Sequence, residues 1–405
     1  MIADVRAAFN AAFTEEKYHA FLADLNGTYG QGRQIVFRVA ETPVFVPAAL
    51  TAKLQQAVAD IVAVITGPDL ARLTRDAIPP ELVVPHEDAH TQFLAIDFAV
   101  CRDANGELTP QLIELQGFPS LFAYEALLTE AYQRYFPVPA TLTTYFNGLD
   151  RTSYLALLRR TILADEAPEA VVLLEVEPWQ QGTAVDFAIT EQSIGIRTVD
   201  VTDVEKAGNQ LFYQRDGVRT RIKRIYNRVI FDELQQRPDV LDKMQFRFQD
   251  ADLDVKWAGH PNWFFRLSKY LMPHLRSAFV PQSTLLSELQ AVPADMENYV
   301  LKPLYSFSGA GVKFHATRAD VEAVPAAQRG HWMLQRKVQY EPVLLTPDGD
   351  LVKAELRMLL LWPEGDAAPT LAINLARLSK GEMIGVKFNK DKTWVGGTIA
   401  FLEGT

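Results

Sequence analysis

The dipeptide Asn105-Gly106 stands between two runs that alternate apolar and polar residues, 93-FLAIDFAVCR-102 and 107-ELTPQLIELQ-116. Asn-Gly favours the two-residue hairpin turn because both central positions need positive φ, and a period of two marks strands with one buried face. The stretch reads as an antiparallel hairpin, and a two-residue turn sets its register. Asp97 then lies opposite Glu114 with Gln116 on the same face, while Leu94, Ile96, Phe98, Val100, Ile113 and Leu115 form the apolar face. Pro110 is the residue able to shift this register. Two directly opposed carboxylates have Cβ atoms about 5 Å apart and repel one another unless positive charge sits between them. Their hard oxygens, with the amide oxygen of Gln116, suit Mg²⁺, which is usually held by one or two carboxylates together with substrate phosphates. A solvated acidic face is the plainer alternative.

Elsewhere helix and strand alternate. Spaced apolar positions predict helices over 3–25, 48–77 and 121–146. Helix 153–164, strand 170–176, helix 182–193 and strand 196–201 then form a βαβ-like unit, the start of a small doubly wound domain. From about 298 strands dominate, at 298–302, 311–315, 331–338, 351–362 and 370–378. The fold class is therefore α+β or α/β, in three parts: 1–150, 151–290 and 291–405. A chain of 405 residues, 48% hydrophobic and 22% charged, can bury two or three cores. Its net charge of −10 argues against a nucleic-acid partner. Apolar runs such as 171-VVLLEV-176 and 358-MLLLW-362 stop far short of the roughly 20 residues that span a membrane. The N-terminus shows no basic segment ahead of an apolar one, and the single Cys101 excludes an internal disulfide and a Cys-based zinc cluster. A cytoplasmic protein is expected, with no membrane and no nucleic-acid partner, and Cys101 reads as a small buried hydrophobe.

Four further stretches carry chemistry. In 301-LKPLYSFSGAGVKF-314 a lysine ends a strand and a Ser/Gly loop follows. It matches neither the P-loop nor the dinucleotide fingerprint, but backbone N–H groups of such a loop can fold over an anion while Lys302 supplies charge. In 351-LVKAELRMLLLW-362, Lys353, Glu355 and Arg357 share one strand face. The segment 86-HEDAH-90 matches the HExxH zinc-protease signature, without a third ligand in view. The segment 222-IKRIYNRVIFDEL-234 offers Arg224, Asn227 and Arg228 to a carboxylate.

The hairpin together with 301-LKPLYSFSGAGV-312, 332-WMLQRKV-338, 353-KAELR-357 and 373-INLARLSKGEMIG-385 resembles the circularly permuted branch of the ATP-grasp superfamily, which includes eukaryotic-type glutathione synthetases and glutathionylspermidine synthase. In that branch the metal-binding hairpin lies near the N-terminus and the nucleotide-closing strands end the chain, the order seen here. The resemblance implies a permuted ATP-grasp fold and a cytoplasmic, ATP-dependent carboxylate–amine ligase working through an acyl phosphate. Its substrates would be a small carboxylic acid and an amine, amino-acid or peptide-like, a polyamine among the candidates; a homodimer is compatible with it. ATP and Mg²⁺ are the implied cofactors. By resemblance Asp97, Glu114, Gln116 and Glu355 would hold metal. Lys269, Lys302, Ser308, Gly309, Gly311, Gln335, Lys337 and Lys353 would hold nucleotide, and Arg357 and Arg377 would neutralise the transferred phosphoryl group. Lys269 is preferred over Arg266, three residues earlier, because family members place a lysine on a helix before the nucleotide strands. Asn374, Asn389, Gly396 and Gly397 are weaker candidates for the same pocket. Two departures matter: Gln116 stands where the family has Asn, and Ser306 where eukaryotic glutathione synthetases carry a metal-binding glutamate. They favour an alternative, an ATP-grasp-like scaffold that binds nucleotide or peptide without ligation. Zinc hydrolysis at His86 and His90 is the less favoured third.

Overall fold

The computed structural model describes the whole chain except residues 31, 305–310, 383, 385–388 and 405, and the side chain of Asp232. Three helices open it: α1 (Ala3–Ala12), α2 (Glu15–Tyr29) and α3 (Ala48–Ile65). The first two were expected as one helix. Thr14 breaks them by turning extended, and its side chain accepts from the Lys17 N–H, so it starts α2 as an N-cap. The apolar stripe Leu50, Leu54, Ala57, Val58, Ile61 and Ile65 of α3 is buried in the main core.

The hairpin follows as β1 (Phe93–Arg102) and β2 (Leu108–Gln116). Its turn is longer than two residues: the Asp103 N–H donates to the Glu107 carbonyl at 2.9 Å, and Asp103 Oδ1 accepts from the N–H groups of Asn105 and Glu107. That loop shifts the register by one from Arg102–Leu108 through Phe98–Leu112, and a β-bulge at Ile113 then restores Asp97 opposite Glu114. The expected pairing at the site is correct, and Leu94, Ile96, Phe98, Val100 and Leu115 of the expected apolar face are buried in the main core; the exception is Ile113, which stays half-buried while Leu112 enters the core in its place.

Helices α4 (Phe122–Tyr135) and α5 (Arg151–Leu163) lead into β3 (Val171–Glu175), α6 (Ala184–Ile194), β4 (Arg197–Asp200), β5 (Arg224–Asn227) and β6 (Lys256–Ala258). These strands form a parallel sheet in the order β6-β5-β3-β4, close to the βαβ expectation. Asp150 and Ser153 cap α5 reciprocally, and Gly195 at φ +87° ends α6 in the left-handed region that suits glycine. A separate core packs the parallel sheet against an antiparallel hairpin layer over 205–222.

Next come β7 (Ser283–Leu285), β8 (Tyr299–Pro303) and β9 (Trp332–Arg336), a small antiparallel sheet ordered β7-β9-β8. The expected strand 311–315 is reduced to one bridge, Lys313 with Leu301. Leu301 and Leu334 face a satellite core while Met333 faces the main one, so Lys302 and Gln335 point toward the rest of the molecule. Then come β10 (Pro342–Leu345), β11 (Leu351–Leu361), β12 (Thr370–Ser379) and β13 (Gly396–Thr398). They join the hairpin in a six-stranded sheet ordered β13-β12-β11-β1-β2, with β10 beside β11.

The 86–90 segment is not a helix; His86 sits at φ +58°. His86 Nε2 donates to the Ala251 carbonyl, Glu87 forms a bidentate pair with Arg266, and His90 stacks on Trp362 at 3.9 Å. The two histidines serve different contacts, which removes the zinc-hydrolase expectation. Asn374 bridges Thr144 and Ala400, Asn389 accepts from the Lys380 N–H, and a Cβ on Gly396 would meet the Arg38 carbonyl at 2.3 Å. These weaker candidates are structural.

Candidate functional site

Strand β1 is buried along almost its whole length. Its site face carries Ala95, Asp97 and Ala99, and the two alanines leave room for long side chains from β11 to reach Asp97. Arg357, opposite Asp97 in the register, donates Nε to Oδ1 at 2.5 Å and Nη2 to Oδ2 at 2.7 Å. Arg377, from β12, adds Nη2 to Oδ2 at 2.6 Å and also pairs with Glu355 directly across from it. The second Glu355 oxygen accepts the Tyr340 hydroxyl. One buried network thus crosses three strands. Burial pushes the Asp97 carboxyl up, but Arg357 and Arg377 outweigh it and hold Asp97 below the usual carboxylate range. Glu355 goes the other way: burial raises it, against the pull of Arg377, with Asp97 adding repulsion.

Glu114 is the least buried of the three carboxylates, its side chain 24% exposed. Gln116 Nε2 donates to it at 2.9 Å, Arg357 Nη2 lies 3.9 Å away, and Gln116 Oε1 is buried with no partner among the described residues. Lys302 reaches across from the small sheet, and its Nζ donates to the Ile113 carbonyl at the bulge, 3.4 Å away. Burial lowers its ammonium to about 8, Lys269 adds to the lowering, and Glu114 and Glu355 oppose it. Lys269 is only 7% exposed, yet the helix carrying Arg266 ends at Arg266, so the two bases do not share a helix face. On the small sheet the buried Gln335 has an Nε2 without a partner among the described residues. Lys353 donates to the Gly381 carbonyl, Lys337 places Nζ over the Phe314 ring, and Gly311 turns at φ +71° beside Pro303. Ser306, Ser308 and Gly309 lie outside the described residues.

A second group sits where β3 and β5 end, the edge at which open parallel sheets place ligands. Arg228 is 4% exposed, and its Nε and Nη1 have no hydrogen-bond partner among the described residues. Nη2 donates to Thr183 Oγ1 at the start of α6 at 3.3 Å, and the guanidinium lies 4.8 Å from the Phe118 ring. Burial pushes Glu175 nearby up to about 7, against the pull of Arg228. Asp186 Oδ1 caps α4 through the N–H groups of Ala123 and Tyr124. Arg224 and Asn227, expected beside Arg228 as substrate contacts, are used internally: Arg224 holds the Ile162 carbonyl and Glu364, and Asn227 accepts from the Val229 N–H. Tyr340 and Glu175 were not anticipated. Tyr340 follows a strand in a segment without periodicity, whereas an acid closing the apolar run 171-VVLLE-175 is a signal that sequence could have used.

Gly117, which follows the strand carrying Glu114 and Gln116, packs closely against the 263–267 segment. A Cβ there would meet the Trp263 carbonyl oxygen at 2.6 Å and Leu267 Cβ at 2.9 Å. Gly117→Ala is expected to lose about 1–3 kcal/mol of stability, read as a lower urea midpoint; an unchanged midpoint would show that this contact relaxes freely.

The metal expectation meets an obstacle in these contacts. Both Asp97 oxygens and both Glu355 oxygens already accept from guanidinium or phenol groups, which leaves Glu114 and Gln116 Oε1 as ligands. Among the described residues no group of three His, Cys, Asp or Glu side chains is arranged to hold a metal ion. As arranged, the donor set does not fit Mg²⁺.

No family model matches the chain, and no curated protein does. Among solved structures it is similar to a glutathione synthetase like-effector (GSS30) from Globodera pallida in apoform, at 9% identity, with 96% of each chain covered and a TM-score of 0.60. At that identity the likeness concerns the fold, a mixed α/β arrangement of several sheets shared over nearly the whole length of both chains.

Proposed function

We propose that the cleft between the small sheet and the six-stranded sheet is an ATP-grasp-type nucleotide site, and that the chain is an ATP-dependent carboxylate–amine ligase. One observation carries the nucleotide half: Lys302 crosses from the small sheet to the Ile113 carbonyl and comes within electrostatic reach of Glu114, Glu355 and Lys269, while Arg357 and Arg377 meet at Asp97 on the facing sheet. Five cations (Lys269, Lys302, Lys353, Arg357, Arg377) face three carboxylates (Asp97, Glu114, Glu355), a surplus that favours a polyanion. Arg228 supports the acid half: a buried guanidinium with two unpartnered N–H groups suits a substrate carboxylate.

In this reading the lysines and arginines position the phosphates and offset the charge that develops as a substrate carboxylate oxygen attacks the γ-phosphorus and ADP leaves. An amine then attacks the acyl carbon and expels phosphate, forming the amide. In this reading Glu175, which burial pushes up to about 7 beside Arg228, would take the proton of the incoming ammonium. The test is ADP release from ATP, with and without divalent cation, against pooled amino acids, small peptides and polyamines. Arg228→Gln is expected to raise the apparent KM for the acid by about 10- to 100-fold, since charge-assisted bonds contribute roughly 1.5–3 kcal/mol; an unchanged KM would remove Arg228 from the acid subsite. The scaffold reading is favoured by one observation, the engagement of Asp97 and Glu355 with arginines, and it gains if nucleotide binds and no pool elicits turnover.

A further inference from the structure

The charges that would hold a divalent cation in this cleft are answered from inside the protein. Asp97 is 1% exposed and accepts three guanidinium hydrogen bonds of 2.5–2.7 Å. Glu355, 2% exposed, is closed by Arg377 and the Tyr340 hydroxyl. Buried carboxylates paired in this way resist exchange, because removing one partner leaves an uncompensated buried charge. Glu114 is the remaining carboxylate of the set, and its Oε1 accepts from the Gln116 amide. Mg²⁺ is usually held by one or two carboxylates together with substrate phosphates, and here a single partly buried carboxylate, already accepting from an amide, is what remains to hold it. Cations already outnumber carboxylates on these faces, so a further two positive charges gain nothing from the protein.

We infer that this site captures the phosphate chain of its nucleotide as the metal-free polyanion, with Arg357, Arg377, Lys302 and Lys269 in the electrostatic place of a divalent cation. This rests on the nucleotide reading proposed for the cleft and specifies the ionic form of the ligand. The guanidinium of Arg377 can reach such a ligand, since its side chain is 35% exposed. Lys302, drawn down to about 8, is still largely protonated at neutral pH and presents its charge beside the bulge.

The test is calorimetric titration of the full chain with ATP, once in EDTA and once in excess Mg²⁺, with inorganic tripolyphosphate as a second probe. The expected result is ATP binding at least about tenfold tighter in EDTA than in excess Mg²⁺, which withdraws the free polyanion as its metal complex, and tripolyphosphate binding that persists in EDTA. Equal or weaker ATP affinity in EDTA than in Mg²⁺ overturns the inference and leaves the nucleotide site standing. Absence of ATP binding in both buffers overturns the nucleotide reading itself and the inference with it. Arg377→Gln separates the two further. A metal-independent site loses at least tenfold in EDTA, whereas a metal site gains Mn²⁺ affinity, seen by electron paramagnetic resonance, as Glu355 loses its guanidinium partner.

Discussion

Lys302→Ala is expected to weaken ATP binding by about 100-fold, the effect of removing a roughly 3 kcal/mol charge-assisted contact. Lys302 is the side chain that crosses from the small sheet to the hairpin, so its loss removes both a charge and the bridge to Ile113. The wild-type pH profile carries the same information. Burial and Lys269 hold the ammonium down to about 8, so affinity should be level below neutrality and fall as pH rises through 8, by about tenfold per unit at the limit. In the alanine variant that alkaline slope should vanish. A variant that binds as tightly as wild type, or keeps the slope, would place the phosphates elsewhere.

Asp97→Ala should cost about 3–5 kcal/mol of stability, because it leaves Arg357 and part of Arg377 buried without their anion. Urea denaturation reads this directly. A loss below about 0.5 kcal/mol would mean that Glu114, 3.9 Å from Arg357, takes over the charge. Acid should reproduce part of the effect in the wild type. The folded pKa of Asp97 is depressed, so its stabilisation is complete above its ordinary value near 3.8 and is lost as pH falls through the lower folded value. Glu355 has the opposite sign. Its folded pKa is raised, so its ionisation costs stability above the ordinary value of 4.5, and mild acid relieves that cost. Glu125 and Asp186 are buried and raised in the same direction. Greatest stability is therefore expected in weak acid, followed by a steep fall below pH 4, which the Asp97→Ala variant should lack.

Local patterns carried much of the architecture. The βαβ unit over 153–201 was legible because apolar runs and amphipathic helices report burial directly, and the Asp97–Glu114 pairing was legible because strand parity allows few registers. The hairpin also shows how such reasoning can reach the correct pair by an incorrect route. A five-residue turn and a bulge offset one another, and neither has a signature that outweighs Asn-Gly in isolation. The break between α1 and α2 is one hydroxyl capping one N–H, too local for periodicity to register.

By itself, then, the sequence determined which residues share a face: Asp97 with Glu114, and Lys353 with Glu355 and Arg357. Only the tertiary structure decided what those faces meet. Residues 260 positions apart lie side by side because β11 inserts next to β1, and the carboxylates assigned to metal are answered by arginines brought from β11 and β12. A strand pattern reports the parity of a side chain, whereas the charge it pairs with depends on which strand arrives beside it. That choice belongs to the packing of the whole chain.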